Sequence, residues 1–251
     1  MPSSPADASL NEKSLDGVAV IVPALNEEGS ISLVVSRLKK LGVKDVIVSD
    51  NGSTDETVRL AQAAGASVVP APQKGYGAAC LAGIHALPAT GHIVVFCDGD
   101  GADDLSQLPA LIAPLLDGRA DLVIGSRSLG NAEPGALTAP QRAGNFVAAL
   151  LLRILFGQRV TDLGPFRAVS RAALLKIGMR DPAFGWTAEM QTKALRLGLR
   201  VVEIPVNART RHAGESKISG RLVPVFLAGW GILTTIVRYR FSAVTANQES
   251  A

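Results

Sequence analysis

Short apolar segments alternate with helical segments along the first half of the chain, and this alternation limits the fold more than any other feature. The runs VAVIV (18–22) and KDVIVSD (44–50) are typical of buried strands, and SISLVVSRLKKLG (30–42) between them has the spacing of an amphipathic helix. Strands and helices that alternate in this way form parallel βαβ units with right-handed crossovers. We therefore predict an α/β fold with a Rossmann-like, mostly parallel sheet flanked by helices.

Polar clusters follow the predicted strands at the points where the strands end. PALNEE follows the first strand, DNGSTD the second, DGDGADD the fourth and GSR the fifth. Ligands of open parallel sheets bind beyond the carboxyl ends of the strands, so these clusters predict one site at one edge. Neither GxGxxG after the first strand nor GxxxxGK[ST] occurs, which disfavours a dinucleotide-binding Rossmann domain and a P-loop NTPase.

The segment VVFCDGDGADD (94–104) carries the chemistry of this predicted site. Asp98 and Asp100 end a buried strand, and carboxylates that lie so close together repel and are costly to desolvate. With Gly99 freeing the backbone between them, the pair suits Mg²⁺ or Mn²⁺ bridging protein and diphosphate. An isolated DxD is more often a solvated acidic turn, but the preceding strand and the other clusters favour a metal site.

Composition excludes several classes of protein. A content of 47% hydrophobic and 19% charged residues is that of a globular chain. The net charge of +3 is too small to predict a nucleic-acid partner, and none is expected. Cys80 and Cys97 stand in apolar contexts without metal-ligand spacing, which predicts reduced core residues in a cytoplasmic protein.

The chain is predicted to form one domain with polar ends. Residues 1–16 lack the apolar segment of a signal peptide and are expected to be a disordered tail. Residues 17–220 form the α/β domain, 221–241 an apolar helix and 242–251 a second tail.

The segment RLVPVFLAGWGILTTIVRYRF (221–241) raises the question of a membrane. Its uncharged part, Leu222 to Val237, reaches about 24 Å as a helix, whereas a hydrocarbon core measures about 30 Å. Basic flanks with Trp230 and Tyr239 suit an amphipathic helix that lies in the membrane interface. The alternative is packing on the sheet or on a second subunit, so peripheral membrane contact and a homo-oligomer both stay open.

The motifs VPALNEE, DNGSTDET, KGYGAA, DGDG and GSR, in this order and spacing, resemble the family 2 inverting glycosyltransferases with a GT-A fold. In the second half, QRAGN, TDLGPFRA, AEMQTKALRLGLRVVEIPV and RHAGESKISG resemble the branch of dolichyl-phosphate mannose synthases and bacterial polyprenyl-phosphate glycosyltransferases. The resemblance implies a metal-dependent hexosyltransferase at the inner face of the cytoplasmic membrane. It would move a sugar from a UDP- or GDP-sugar, the nucleotide-sugar donor, to a polyprenyl or dolichyl phosphate with inversion.

The resemblance also implies a set of site residues. Asp98 and Asp100 would hold the metal, while Ala102 stands where the synthases often carry Gln, with Asp103 beside it. The donor site would comprise Pro23, Ala24, Asn26, Glu27, Asp50, Lys74, Gly75, Asp98, Gly99, Arg211, Ser216 and Lys217. The catalytic set would comprise Asp100, Arg127, Arg142, Asp162 and Glu189.

The implied roles follow from the charge of a phosphate acceptor. Arg127 and Arg142 would bind it bidentately, whereas for Arg167 a phosphate contact and a structural ion pair both stay open. A phosphate acceptor is already an anion and needs no base, so Asp162 and Glu189 would orient the sugar or the arginines. The loop of Arg211, Ser216 and Lys217 would close over the diphosphate.

Three other functions stay open from the sequence. The first is a family 2 glycosyltransferase with a soluble hydroxyl or phosphate acceptor. The second is a sugar-nucleotidyltransferase, which would need a Gly-rich, arginine-containing loop where this chain has PALNEE. The third is a non-catalytic binding module, which the intact Asp98, Asp100, Arg127 and Glu189 disfavour.

Overall fold

The computed structural model describes residues 15–212 and 222–241, and its centre is a seven-stranded sheet in the order β3-β2-β1-β4-β6-β5-β7. The strands are β1 (Val18–Ala24), β2 (Asp45–Asp50), β3 (Ser67–Pro70), β4 (Ile93–Phe96), β5 (Leu122–Ser126), β6 (Arg167–Ser170) and β7 (Val201–Pro205). All neighbours run parallel except β6, which is antiparallel to both β4 and β5. The predicted α/β sheet is therefore confirmed, and the reversed strand makes it mostly rather than wholly parallel.

Eight helices are described around the sheet in residues 15–212 and 222–241. They are α1 (Ile31–Lys40), α2 (Thr57–Ala63), α3 (Tyr76–His85), α4 (Leu108–Leu116), α5 (Ala139–Phe156), α6 (Arg171–Ile177), α7 (Trp186–Arg196) and α8 (Leu222–Phe241).

Two helix starts differ from the sequence pattern for reasons of capping. The apolar segment RAGNFVAALLLRILFG (142–157) predicts a helix from Arg142, but α5 begins at Ala139 because Thr138 and Gln141 form a capping box. Helix α6 does not appear in the sequence pattern at all. It begins after Ser170, whose side chain accepts a hydrogen bond from the backbone N–H of Ala173.

Both faces of the sheet are covered, which explains why its strands are continuously apolar. On one face Val22 and Val95 pack with residues of α1 and α4 such as Leu38. On the other, Phe96 packs edge-on against Trp186 of α7 at 5.7 Å between ring centroids. The carboxyl ends of the strands are thereby held in a rigid frame.

Helix α8 packs against the protein on one side. Ile236 is buried in a third cluster with Leu152 of α5 and Ala188 of α7. The Lys193 ammonium lies 4.6 Å from the centre of the Tyr239 ring. The described part of this helix therefore packs on two other helices, α5 and α7, while Trp230 on the same helix is 61% exposed. Within the described ranges, none of the helices combines the length and apolarity that a membrane crossing needs.

Candidate active site at the carboxyl edge of the sheet

The strand ends bring the predicted polar clusters to one edge of the sheet. Ala24, the last residue of β1, pairs in register with Asp50, the last of β2. Asp98 follows β4 by two residues, and Arg127 follows β5 directly. Because parallel strands end on the same side, the four clusters converge as the alternation predicts.

The loops after β1 and β2 are joined by hydrogen bonds. Asn26 has a φ of 49°, a left-handed conformation uncommon for a residue with a side chain. It is held there because its N–H donates to Ser53 Oγ (2.9 Å) and its Oδ1 accepts from the Thr54 N–H (2.8 Å). Asp50 accepts from the N–H groups of Gly52 (3.2 Å) and Ser53 (3.1 Å). Asn26 and Asp50, which are predicted to bind the nucleotide sugar, thus hold the loops after β1 and β2 in place.

Asn51, which the sequence analysis does not single out, joins the second loop to the loop before α3. Its buried side chain donates to the carbonyl of Gln73 (2.8 Å) and accepts from the N–H of Gly75 (2.8 Å). The signal was present in DNGSTD, but an asparagine in a turn ordinarily bonds to its own turn.

Close packing explains why position 75 is a glycine. Its φ is 138°, and an added Cβ would overlap the carbonyl of Pro182. The N–H of Ala78, in the first turn of α3, donates to the same carbonyl (2.9 Å). The start of α3 is therefore occupied by protein backbone, and the predicted donor residue Lys74 lies exposed beside it.

The acidic loop, residues 98–104, contains four aspartates that are buried or half-buried. Asp98 is half-buried and accepts from the Tyr76 hydroxyl (3.1 Å), and its N–H donates to Asp103 Oδ2 (2.9 Å). Burial, then the charge of Asp100, raises the pKa of Asp98 to about 7. Burial, then the charge of Asp98, also raises the pKa of Asp103 well above its ordinary value. The loop therefore favours either protons or a cation.

The carboxylate pair fits the expected divalent ion. Asp98 and Asp100 offer the hard oxygen ligands that Mg²⁺ and Mn²⁺ prefer, and positive charge would relieve the repulsion that perturbs Asp98. In the described part of the chain, no group of three or more His, Cys, Asp or Glu side chains could hold a metal ion. The remaining ligands of an ion would therefore come from water or from a bound diphosphate. Gly99, between the two acids, is held by the Ser30 hydroxyl, which donates to its carbonyl (2.8 Å).

The chain after β7 runs along the acidic loop. The N–H groups of Arg209 and His212 donate to the carbonyls of Ala102 (2.9 Å) and Asp100 (3.1 Å). The Arg211 guanidinium pairs with the buried Asp100 carboxylate at 3.1 Å. Arg211 thus reaches the predicted metal site, while Ser216 and Lys217 lie outside the described residues.

Arg127, the residue directly after β5, is fixed by Asp162. The carboxylate of Asp162 is 1% exposed and accepts from the Arg127 backbone N–H (2.7 Å), Nε (2.9 Å) and Nη2 (2.8 Å). Such a bidentate pair holds the guanidinium in one orientation.

A cavity of ≈ 390 Å³ opens beside this pair. Arg142, Phe146, Leu150 and Arg153 of α5 line it, together with Arg127. Among the described residues that line it, Asp162 is the only carboxylate. Neither Arg142 nor Arg153 forms an ion pair within residues 15–212 and 222–241, so both bring net positive charge to the cavity.

Arg167 is a structural residue. Its side chain is fully buried, and it donates to the carbonyls of Leu163 (3.0 Å), Gly164 (3.0 Å) and Thr187 (3.0 Å). Burial lowers the pKa of Arg167 to about 10. The choice that the sequence left open is therefore settled in favour of structure, with backbone carbonyls as partners instead of a salt bridge.

Glu189 is a buried carboxylate at the start of α7 that bonds to the segment before this helix. It is 0% exposed and accepts from the N–H groups of Arg180 (3.0 Å) and Asp181 (2.7 Å) and from Lys193 Nζ (2.6 Å). All of these contacts lie away from the cavity lining. Glu189 thereby holds the segment whose carbonyls meet the start of α3.

Comparison with known proteins places this geometry in a family. The model of glycosyl transferase family 2 matches residues 19–178. An uncharacterized glycosyltransferase of Mycobacterium tuberculosis is 40% identical over 209 residues, which are 82% of this chain and 92% of the relative. Undecaprenyl-phosphate mannosyltransferase of Micrococcus luteus is 31% identical over 230 residues, 86% of this chain and 94% of the relative.

A solved structure extends the similarity to the fold. Glucosyl-3-phosphoglycerate synthase from Mycobacterium tuberculosis, in complex with Mn²⁺, uridine diphosphate and phosphoglyceric acid, superimposes with a TM-score of 0.75. It is 26% identical, and the match covers 98% of this chain and 86% of that one.

Proposed function

The chain belongs to glycosyl transferase family 2, and from this premise we propose that it transfers a hexose from a nucleotide sugar to a polyprenyl phosphate with inversion. Family membership decides against the sugar-nucleotidyltransferase and the binding module, and the GT-A fold predicted from the sequence is confirmed. The observation that carries the proposal is the cavity beside Arg127, which joins arginines to exposed apolar side chains.

The donor side of the proposal rests on the acidic loop. Asp98 and Asp100 would hold Mg²⁺ or Mn²⁺, which when bound neutralises the donor diphosphate and stabilises the departing nucleoside diphosphate. Pro23, Ala24, Asn26, Glu27, Asp50, Lys74 and Gly75 would line the nucleotide side. A structural neighbour that contains Mn²⁺ and uridine diphosphate supports this arrangement, and both UDP- and GDP-sugars remain candidate donors.

The acceptor side favours an anion over a hydroxyl. A hydroxyl acceptor needs a general base, yet Asp162 is committed to three donors of Arg127. Asp162 occupies Nε and one hydrogen of Nη2, so Nη1 and the other Nη2 hydrogen can still bind a phosphate as a fork. Because Asp162 neutralises Arg127, the attraction for the phosphate anion would come chiefly from Arg142 and Arg153.

The lipid part of the proposal rests on α5. Arg142 and Arg153 are eleven residues apart, three turns or about 16 Å, and so lie on one face of the helix. Between them Phe146 and Leu150 are 66% and 41% exposed while they line the cavity. An isoprenoid chain would lie along these side chains while its phosphate reaches Arg127. This placement supports the proposed peripheral membrane contact, which we assign to the inner face of the cytoplasmic membrane.

The proposal is tested by a donor and acceptor screen. Purified protein with Mn²⁺ or Mg²⁺ is given UDP- and GDP-sugars with undecaprenyl phosphate or phosphoglyceric acid, and products are identified by mass spectrometry. We expect sugar in the lipid fraction and its loss in Asp100→Asn. Sugar transferred only to the soluble acceptor would overturn the lipid assignment.

The role of Arg142 has a matched control in Arg159, which is also exposed but lies outside the cavity lining. Arg142→Ala should raise the acceptor KM about tenfold, because a charge-assisted contact to phosphate is lost. Arg159→Ala should leave that constant within about twofold. Equal effects of the two variants would contradict a specific phosphate contact.

A soluble phosphorylated acceptor is the second candidate. The solved neighbour with phosphoglyceric acid supports it, since the same arginines could bind a small phosphate. The two candidates differ at Phe146, which touches only the apolar part of a lipid. Phe146→Ser should impair transfer to undecaprenyl phosphate if the acceptor is a lipid, and should leave transfer to a small acceptor unchanged if it is soluble.

A further inference from the structure

The turn formed by Thr161, Asp162 and Leu163 is held almost entirely by side chains from other elements. It connects α5 to β6 and lies outside every helix and strand, so regular backbone hydrogen bonds do not hold it. All six of its backbone polar groups nevertheless bond to side chains that belong to helices or strands outside these three residues. The N–H groups of Thr161 and Asp162 donate to Glu203, that of Leu163 donates to Asn145, and the three carbonyls accept from Asn145, Gln191 and Arg167 in chain order.

Glu203 makes more hydrogen bonds to this turn than any other side chain does. One of its carboxylate oxygens accepts from the N–H of Thr161 (2.8 Å), and the other from the Thr161 hydroxyl (2.6 Å). The Thr161 hydroxyl also meets the hydroxyl of Ser126 (2.7 Å), the residue directly before Arg127. Two chains of contacts therefore connect Glu203 to Arg127. One runs through the Thr161 hydroxyl to Ser126, and the other runs through the backbone of Asp162 to its carboxylate.

The carboxylate of Glu203 lies on a face of the sheet, where, among the described residues, its compensation comes from backbone and hydroxyl donors instead of a cation. It lies in β7 in register with Ile124 of β5, so its side chain stands on a sheet face and is half-buried. Within residues 15–212 and 222–241 it forms no ion pair with a Lys or Arg. A carboxylate that is partly desolvated without a cation is costly, and its compensation here is the set of donors on the turn.

We propose that Glu203 is a positioning residue for Arg127, and that it acts by fixing the turn that carries Asp162. Asn145, Gln191 and Arg167 hold the same turn from α5, α7 and β6. Asn145 connects the turn to the helix that lines the cavity. The assignment of Arg127 to the acceptor rests on the proposed function, whereas the mechanical coupling from Glu203 to Arg127 does not.

The chain contains a second arginine fixed in the same manner, which serves as the control. Asp121 accepts from the Arg200 backbone N–H (2.9 Å), Nε (3.0 Å) and Nη2 (2.8 Å), as Asp162 does from Arg127. This pair lies at the opposite end of β5, and the Arg200 side chain is 57% exposed. Asp121→Asn releases an arginine far from the cavity and should leave Arg127 untouched.

The experiment follows the arginine Nε–H groups of the full chain in proton–nitrogen correlation spectra. The signals are assigned by their loss in Arg127→Lys and Arg200→Lys. In Glu203→Gln, the Arg127 Nε–H should exchange with water about tenfold faster, because the amide replaces one acceptor oxygen by a donor. The Arg200 signal should not change. Asp121→Asn should give the converse pattern.

Kinetics separate positioning from general destabilisation. Glu203→Gln should raise the acceptor KM about tenfold while the donor KM stays within about twofold, and Glu203→Asp, which retains the charge, should recover part of the loss. An Arg127 signal that is unchanged in Glu203→Gln would overturn the inference for any acceptor. If that variant does not fold, Glu203→Asp is judged by the same signal. A released Arg127 without a change in any acceptor KM would instead contradict the acceptor role of Arg127.

Discussion

The charge on Asp98 opposes folding in the metal-free protein. Its pKa is about 7 in the folded chain and 3.8 without the fold, so the folded state binds more protons between these values. The free energy of unfolding therefore falls as pH rises from about 4 to about 7, and the loss persists above pH 7. A divalent cation or neutralisation of the side chain should restore the lost stability.

Asp98→Asn tests this linkage, because asparagine keeps an oxygen that can accept from Tyr76. With chelator present, the variant should be more stable than the wild type, and the gain should grow between about pH 4 and pH 7 and then level off. The measurement is urea unfolding at a series of pH values. A gain that does not depend on pH would show that Asp98 keeps an ordinary pKa.

Single residues also show where sequence reasoning reached its limit. The positions of Asp98, Asp100 and Arg127 at the carboxyl edge of the sheet could be predicted, because each follows the end of an apolar strand by at most four residues and strand ends are a local signal. Asn51 and Glu203 could not be predicted, since their roles depend on loops that lie far away in the sequence.

Two helical glycines have opposite packing, and this difference predicts opposite effects of the same substitution. Gly77 in α3 has no room for a side chain, because an added Cβ would overlap the carbonyl of Asp181. Gly144 in α5 has no described atom within 4 Å of that position. Gly77→Ala should lower the free energy of unfolding by about 1–3 kcal/mol. Gly144→Ala should raise it by about 0.5–1 kcal/mol, as expected for an unobstructed helix interior.

Thermal and urea unfolding of the two variants provide the measurement. Gly77→Ala should also reduce donor binding, since the segment displaced by its side chain packs against the loop of Lys74 and Gly75. A stabilising Gly77→Ala would mean that the contact between this segment and α3 is looser than described.

The elements themselves were predictable to different degrees. The alternation of strands and helices in the first half of the chain follows from short-range periodicity, which the sequence displays directly. The direction of β6 was not predictable, because RAVS has no feature that distinguishes a parallel from an antiparallel neighbour. Because β6 runs antiparallel, Arg167 pairs with Phe96 at the carboxyl edge of the sheet. Arg167 is fully buried there, which makes it a structural residue.

Across the described residues of the whole molecule, most of the exposed large apolar side chains lie on helices α5 and α8. Phe146, Val147, Leu150 and Ile154 of α5 are each at least 41% exposed, and Trp230 and Phe241 of α8 are 61% and 71% exposed. Helices α5 and α8 pack together, and the exposed apolar side chains of these two helices are here called the α5–α8 surface. The proposed membrane contact predicts that this surface, rather than apolar exposure in general, binds lipid.

Ile154 and Leu175 allow a matched test, because both are 72% exposed and Leu175 lies on α6. Ile154→Ser should reduce co-sedimentation with vesicles that contain anionic lipid, whereas Leu175→Ser should not. We expect a loss of about tenfold in binding for Ile154→Ser, from the apolar area withdrawn from lipid. Equal binding of both variants and the wild type would contradict contact through this surface.

The ion pair between Arg211 and Asp100 means that the acidic loop carries a tethered competitor for any incoming cation. A guanidinium attached to the chain has a fixed local concentration, which dilution cannot lower and a chelator cannot remove. Apparent affinity for a divalent ion is therefore an exchange constant: it measures how much more the carboxylates favour the ion than the arginine. An arginine displaced by the ion becomes available, in the same event, for a second anionic partner.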